Sequence, residues 1–347
     1  MCDETGLEQV GFDAIAEALN TLYPDQAGAF YRTIVPYALG GNDPLDGVQV
    51  FKSERGMPHW HYVTYGFTEL YEKETDNPEE SGYGFELTFR LKRGEEEQPP
   101  AWPINLLQNL ARYVFSSGNV FGSGHHMSCN GPIALEEDTE LTALGFRTDI
   151  ELGEMDTPNG HMVFLQAVGI TDDEMSAMMC WNGEKFLASL EPFLPLCITD
   201  LPRPSLMENP KVQRVWESGV EADGSSTGFL YLDEVGAQLQ QERAMIRLGA
   251  GHDAILANML RARVGKGRSL YLQSKEAAVL FELGERFQKD LCDGVLHLTL
   301  TKTTLEEFCS LLKPHAGVYP LPDVPLTLEL VPTKITDQDG NVLKVIG

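Results

Sequence analysis

Positive charge is scarce in this 347-residue sequence. Lys and Arg total 26 against 52 Asp and Glu, a formal net charge of -26. Nucleic acid and anionic membrane surfaces repel such a polyanion, which argues against both as partners. Cysteine is sparse as well. The six, at Cys2, Cys129, Cys180, Cys197, Cys292 and Cys309, never fall in CxxC spacing. They read as reduced thiols of a cytoplasmic protein, not as a disulfide framework. No apolar run approaches the ~18 residues of a membrane span. The opening Met1-Cys2-Asp3-Glu4 is acidic where a secretory leader is basic. The sequence also lacks a helical HExxH pair and a GxSxG elbow. Gly249-Ala250-Gly251 runs into His252-Asp253, without the Lys and Ser/Thr that end a phosphate loop. These absences leave no catalytic residue and no cofactor to assign.

What is present reads as a globular protein. Hydrophobic residues make up 42% and charged residues 22%, an ordinary balance for a chain with a sizeable core. At ~150 residues per domain, two domains are expected. Thr5 and Glu8 have capping-box spacing, and Leu7, Val10, Ala14, Ile15, Ala18 and Leu22 follow at helical intervals that stop at Pro24. Strands are expected at 31–35, 48–52, 62–67 and 83–92, and a helix at 104–115 opened by Pro103. Further strands are expected at 162–168, 196–199, 254–264, 269–272, 295–300 and 326–331, with helices at 185–190 and 305–312. Thr171 and Glu174 form another capping box. Strands and helices mix without regular alternation, which favours an α+β fold. The polar, small-residue run Glu221-Ala222-Asp223-Gly224-Ser225-Ser226-Thr227-Gly228 marks a boundary. It separates an N-terminal domain at 1–220 from a C-terminal domain at 229–347, with 221–228 as a short linker.

The most specific wording is Ser81-Gly82-Tyr83-Gly84-Phe85-Glu86-Leu87-Thr88-Phe89-Arg90-Leu91-Lys92-Arg93. From Phe85 onward apolar and polar residues alternate, the mark of a strand with one buried face. With Leu39-Gly40-Gly41-Asn42-Asp43-Pro44-Leu45-Asp46, His59-Trp60-His61-Tyr62, Thr68-Glu69-Leu70-Tyr71, Trp181-Asn182-Gly183 and Ile198-Thr199-Asp200 in the same order, this run resembles the Suppressor of fused family. The resemblance is dense from about Gly6 to Gly224 and weaker beyond, where Leu296-His297-Leu298-Thr299-Leu300 carries it. It implies two mixed α/β domains, each a sheet with packed helices, facing a cleft. It also implies a non-enzymatic protein that sequesters a partner by clamping a peptide as an added strand. The long insertion of animal members is missing or very short here, which looks like a compact bacterial-type member. An immunity-type role, neutralising a basic toxin or effector, follows from that likeness and suits the negative charge.

Several side chains are candidates for contact with such a partner. Tyr62, Tyr65, Tyr71 and Tyr83 surround the signature strands and combine apolar area with a polar tip, and the first three are the ones assigned to partner contact. Glu86 lies on the polar face of its strand, set to meet a basic side chain or simply solvent. Arg261 and Arg263 share one face if 254–264 is a strand, and suit a carboxylate or phosphate. The plainer alternative is pairing with acids of the same chain. His59 and His61, two apart on a strand, are the weak metal candidates; with an acid such as Glu69 they would make a metal-dependent enzyme. A scaffolding subunit without a cleft ligand is the third reading. The expected partner is a basic protein or peptide.

Overall fold

A computed structural model describes residues 8–35, 40–336 and 342–347. Cys2, and Thr5 of the expected Thr5–Glu8 capping box, lie outside the described residues. Contacts divide the chain into two units, residues 1–178 with 183–213, and residues 179–182 with 214–347.

The first unit is built on one mixed sheet. Its elements run α1 (Val10–Leu22), β1 (Ala29–Arg32), β2 (Gly47–Ser53), β3 (His59–Tyr65), β4 (Glu80–Lys92), α2 (Trp102–Ser117), β5 (His126–Ser128), β6 (Ala143–Thr148), β7 (Glu154–Thr157) and β8 (Gly160–Ile170). The strands order as β1-β2-β3-β4-β8-β6-β5, with β7 paired to β8. The central β4–β8 pair is parallel and its neighbours are antiparallel. Helices α3 (Asp172–Cys180) and α4 (Gly183–Leu190) follow. The Thr171–Glu174 capping box opens α3: Thr171 N–H donates to Glu174 Oε2 at 3.1 Å and Glu174 N–H to Thr171 Oγ1 at 3.4 Å.

Alternation along the strands sorts their side chains between two cores. Phe85, Leu87, Phe89 and Leu91 of β4 join Trp60 and Tyr62 of β3 and Leu107, Leu110, Ala111 and Val114 of α2. The other face gathers Val63 and Tyr65 of β3 with Ile15, Leu19 and Tyr23 at α1. The polar residues of β4 were expected in solvent. Instead Glu86, Thr88 and Arg90 are fully buried, and only Lys92 is exposed. Both faces of the sheet are covered, so the polar stripe needs internal partners.

Helix α5 (Pro210–Asp223) leads into the second unit, which contains β9 (Phe229–Tyr231), β10 (Val235–Gln240), β11 (Arg243–Gly249), α6 (Asp253–Arg263), β12 (Leu270–Gln273), β13 (Ala278–Leu283), β14 (Gln288–Cys292), β15 (Val295–Leu300), α7 (Lys302–Leu311), β16 (Gly317–Pro320), β17 (Leu326–Val331), β18 (Thr333–Thr336) and β19 (Val342–Ile346). They form sheets ordered β14-β15-β13-β12-β9 and β10-β11-β17-β16 and the hairpin β18–β19. One expectation changes here. Residues 254–264 are a helix, not a strand: Leu256, Ala257, Leu260 and Val264 recur at helical spacing and are buried. Within the expected short linker 221–228, residues 221–223 close α5. Ser225 is buried, its N–H bonds Ala262 O at 2.9 Å and its hydroxyl bonds Met179 O at 2.5 Å. In the first unit, 196–199 is likewise not a strand; Pro195–Cys197 is a single 3-10 turn, and Thr199 alone bridges to Leu91.

Candidate functional site

β3 lies against β4 in a register that sets His61 opposite Arg90. Arg90 reaches Asp149 through Nη1–Oδ2 at 2.5 Å and Nη2–Oδ1 at 3.0 Å, and adds Gln166 Oε1 at 3.0 Å and Glu151 Oε2 at 3.1 Å. Asp149 also accepts the Thr88 hydroxyl at 2.7 Å and the N–H groups of Glu151 and Leu152. Burial pushes the Asp149 carboxyl up, but the Arg90 guanidinium overrides it and holds the group well below the usual carboxylate range. His61 Nδ1 lies 2.8 Å from the Tyr23 hydroxyl, and its Nε2 lies 3.6 Å from Asp149 Oδ2. Burial, then the Arg90 charge, push His61 down; burial drives His59 down to about 4. Both imidazoles are neutral near pH 7.

The two histidines do share a face, with ring centres 6.4 Å apart. Each makes one local bond through Nδ1, His59 to the Met57 carbonyl at 2.8 Å and His61 to the Tyr23 hydroxyl at 2.8 Å. Among the described residues no group of three or more His, Cys, Asp or Glu is placed to hold a metal ion. The arrangement ties the sheet to the end of α1, and the Nε2 atoms of both histidines are buried without a hydrogen-bond partner among the described residues.

Glu86 is the second buried charge, and it is not at a surface. Its Oε1 accepts Gly66 N–H at 2.9 Å, Thr68 N–H at 2.9 Å and the Thr68 hydroxyl at 2.7 Å; its Oε2 takes the Thr64 hydroxyl at 2.6 Å. Burial wins over these four donors and moves the carboxyl up to about 6. Tyr62 and Tyr65 are equally enclosed. Their hydroxyls donate to Pro100 O at 2.9 Å and Gln49 Oε1 at 2.6 Å. Tyr62, Tyr65 and Glu86 therefore hold the fold and present nothing to a partner, because the covered sheet leaves no solvent-facing side.

Beside Glu86 lies an open cavity of about 700 Å³. Leu45, Asp46, residues 66–72, Glu74, Thr75, Gly82, Tyr83 and Phe115 are among its walls. Its shape comes from the Ser-Gly-Tyr-Gly word. Gly82 and Gly84 take φ of +56° and +79°, conformations that L side chains rarely adopt, and the β4–β8 register shifts between Glu80 and Phe85. That bulge sets Tyr83 against Phe115, ring centres 4.9 Å apart, and Tyr83 N–H bonds Phe67 O at 2.9 Å.

The opposite wall is a loop wound around Glu69. Its Oε1 accepts the N–H groups of Glu74 and Thr75, and its Oε2 accepts Lys73 Nζ and Gly82 N–H. Burial opposes this, but Lys73 and the backbone donors prevail and hold Glu69 down at about 2. Tyr71 comes from the same segment, half-buried, its hydroxyl 3.3 Å from Asp46 Oδ2. Of the tyrosines expected to meet a partner, Tyr71 is the one that faces an open space. Tyr83, Phe115 and Asp46 join it. Sequence alone groups Tyr83 with the other tyrosines around the signature strands and does not single it out; the two flanking glycines are the signal that sets it apart.

In the second unit Arg261 and Arg263 do not share a face, because helical residues two apart point ~200° apart. Arg261 Nε pairs with Glu306 Oε2 at 2.9 Å, and Arg263 bonds Ser269 O at 2.5 Å and Ser225 O at 3.0 Å. Lys266 bonds Glu221 O and Arg268 bonds Asp223 O, the last carbonyls of α5. These cations satisfy a helix C-terminus.

A family model described as Suppressor of fused protein matches residues 41–204. The human Suppressor of fused homolog is 40% identical over 237 residues, which cover 62% of this chain and 48% of that protein. The mouse homolog matches to the same extent. The chain thus spans about half the length of these curated relatives. Among solved structures, the crystal structure of Drosophila Suppressor of Fused aligns with a TM-score of 0.78 at 22% identity, covering 93% of this chain and 97% of that one, and so supports the fold. A crystal structure of the Sufu-Fu complex aligns with a TM-score of 0.57 at 30% identity, covering 60% of this chain and 98% of the matched one.

Proposed function

This chain belongs to the Suppressor of fused family, and from that premise we propose that it works by binding another protein, not by catalysis. The observation that carries this reading is where its polar chemistry lies. Arg90, Asp149, His61 and Glu86 are enclosed and bonded to one another or to the backbone. So is the Arg203–Glu174 pair, at 2.6 Å. An enzyme needs such groups within reach of a substrate. What reaches solvent instead is the aromatic and acidic cavity beside Tyr71 and Tyr83. The solved complex of a relative with Fu supports protein binding as the mode of action.

The partner is a basic protein, held and thereby neutralised; a toxin or effector is the class that fits an immunity role. The net charge of -26 speeds capture of such a partner and deters nucleic acid. No helix among the described residues is long and apolar enough to cross a membrane. The five described cysteines are free thiols, which suits a cytoplasmic setting. Affinity capture from the native extract, at low and at high salt, tests the reading. A stoichiometric basic protein that releases as salt rises is expected. Retention of nothing at either salt sinks it.

A further inference from the structure

We propose that the cavity beside Glu86 is a socket for one arginine side chain, carried by a basic segment of the partner protein. The inference rests on the binding reading above and names the chemistry of its contact. Three observations on one cavity lead there.

Its volume of about 700 Å³ falls within the ~300–1,000 Å³ typical of ligand pockets. Its walls are aromatic: Phe67, Tyr71, Tyr83 and Phe115 all line it. Rings attract a cation over their faces, and a guanidinium, planar and weakly hydrated, stacks there better than an ammonium. Its charge is of one sign. Asp46, Glu69, Glu72 and Glu74 line the space, and among the described residues no Lys or Arg does.

The four acids are not equivalent. Glu69 is spent on Lys73 and on its own loop. Glu72 and Glu74 are exposed and form no ion pair among the described residues. Asp46, half-buried, is one of the residues that line the cavity, and it is fixed by backbone bonds from its N–H to Tyr65 O at 2.8 Å and from Thr33 N–H to its carbonyl at 3.0 Å. Its Oδ2 takes the Tyr71 hydroxyl, and its Oδ1 has no hydrogen bond among the described residues. A carboxylate with one free oxygen, bounded by rings, is what a guanidinium fork recognises. Glu72 and Glu74 then serve as the outer acids that draw the cation in.

The test titrates the full chain with the capped pentapeptide Gly-Gly-Arg-Gly-Gly by calorimetry. The same peptide with lysine, and with uncharged citrulline, in place of arginine serves as comparison. Saturable binding on the order of 1 mM is expected for the arginine peptide. Lysine should bind more weakly, and citrulline at least about tenfold more weakly. Asp46→Asn, nearly isosteric and with its backbone bonds intact, should lose about tenfold in affinity for the arginine peptide. Tyr83→Leu removes a wall by a second route and should weaken arginine more than citrulline. Equal binding of arginine and citrulline, an unchanged affinity in Asp46→Asn, or no saturation by ~10 mM overturns the socket. A dimer of the chain that free arginine dissolves would assign the site to a second copy and overturn the partner assignment. Capture of the partner by Asp46→Asn as well as by wild type would leave the binding reading standing while the socket falls.

Discussion

Glu86 offers the sharpest test of how this fold spends its buried charge. Burial raises its carboxyl from 4.5 to about 6. A group whose folded pKa lies above its unfolded one holds extra protons when folded, so stability falls as pH rises between the two values. The difference corresponds to about 2 kcal/mol of stability, present below pH ~4.5 and lost above pH ~6. The proton has a place to go. Thr64 Oγ1 sits 2.6 Å from Glu86 Oε2 and 3.2 Å from the Leu87 carbonyl. With the carboxylate, the hydroxyl donates to Glu86. With the acid, it turns to Leu87 and accepts the carboxylic proton. A glutamine amide repeats the second arrangement at every pH, with Nε2 donating to Thr64 and Oε1 accepting from Gly66 and Thr68.

Glu86→Gln should therefore fold, and its stability relative to wild type should depend on pH. Going from pH 4 to pH 7.5, the difference should move by about 2 kcal/mol in favour of the variant. Amide hydrogen exchange of peptides covering β3 and β4 measures this inside the first unit, and comparing both proteins at each pH cancels the intrinsic pH dependence of exchange. His59 and His61 titrate in the opposite sense. Their depressed values remove stability as pH falls below ~6.5, but they are common to both proteins and drop out of the difference. A difference constant across that range would refute the reasoning. Glu86→Ala marks the other limit. It leaves the Gly66 and Thr68 N–H groups without an acceptor, at about 1–3 kcal/mol each for a buried donor.

Asp149→Ala should cost about 3–5 kcal/mol, because it strands the buried Arg90 guanidinium. The pair Arg90→Met with Asp149→Leu should recover much of that loss in urea denaturation followed at the first unit; a double variant no better than the single one would contradict the account. Glu69→Gln weakens the acceptor that binds the N–H groups of Glu74 and Thr75, so exchange at those two amides should accelerate about tenfold, equivalent to ~1.4 kcal/mol. Unchanged protection there would mean that the loop holds its shape without the carboxylate.

The limits of what could be read from the sequence follow from physical causes at particular residues. Alternation from Phe85 to Lys92 identified β4 and the face that packs on α2, because period two is a property of the strand itself. It could not show that Glu86 and Arg90 are buried, since a polar residue under a second layer and one in solvent give the same pattern. Their partners lie far along the chain: Asp149 is 59 residues from Arg90, and Thr64 is 22 residues from Glu86. Arg261 and Arg263 misled for the converse reason. Polar residues two apart mimic a strand face, and the helical spacing of Leu256, Leu260 and Val264 beneath them was the stronger signal.

The cavity was not legible. Alternation made 83–92 a plain strand, whereas Gly82 and Gly84 take left-handed backbone conformations beside Tyr83, which packs on Phe115. Its carboxylate Asp46 did not stand out either, because it is one of 52 acids in a strongly acidic chain. What distinguishes it is a free oxygen among rings, a property of position that composition does not encode. Binding specificity in this chain is thus expected to reside in a few acids whose neighbours are aromatic, while the rest of the negative charge sets the approach of the partner. Raising the salt should slow association and promote release of the partner, whereas Asp46→Asn at fixed salt should act mainly by shortening the lifetime of the complex.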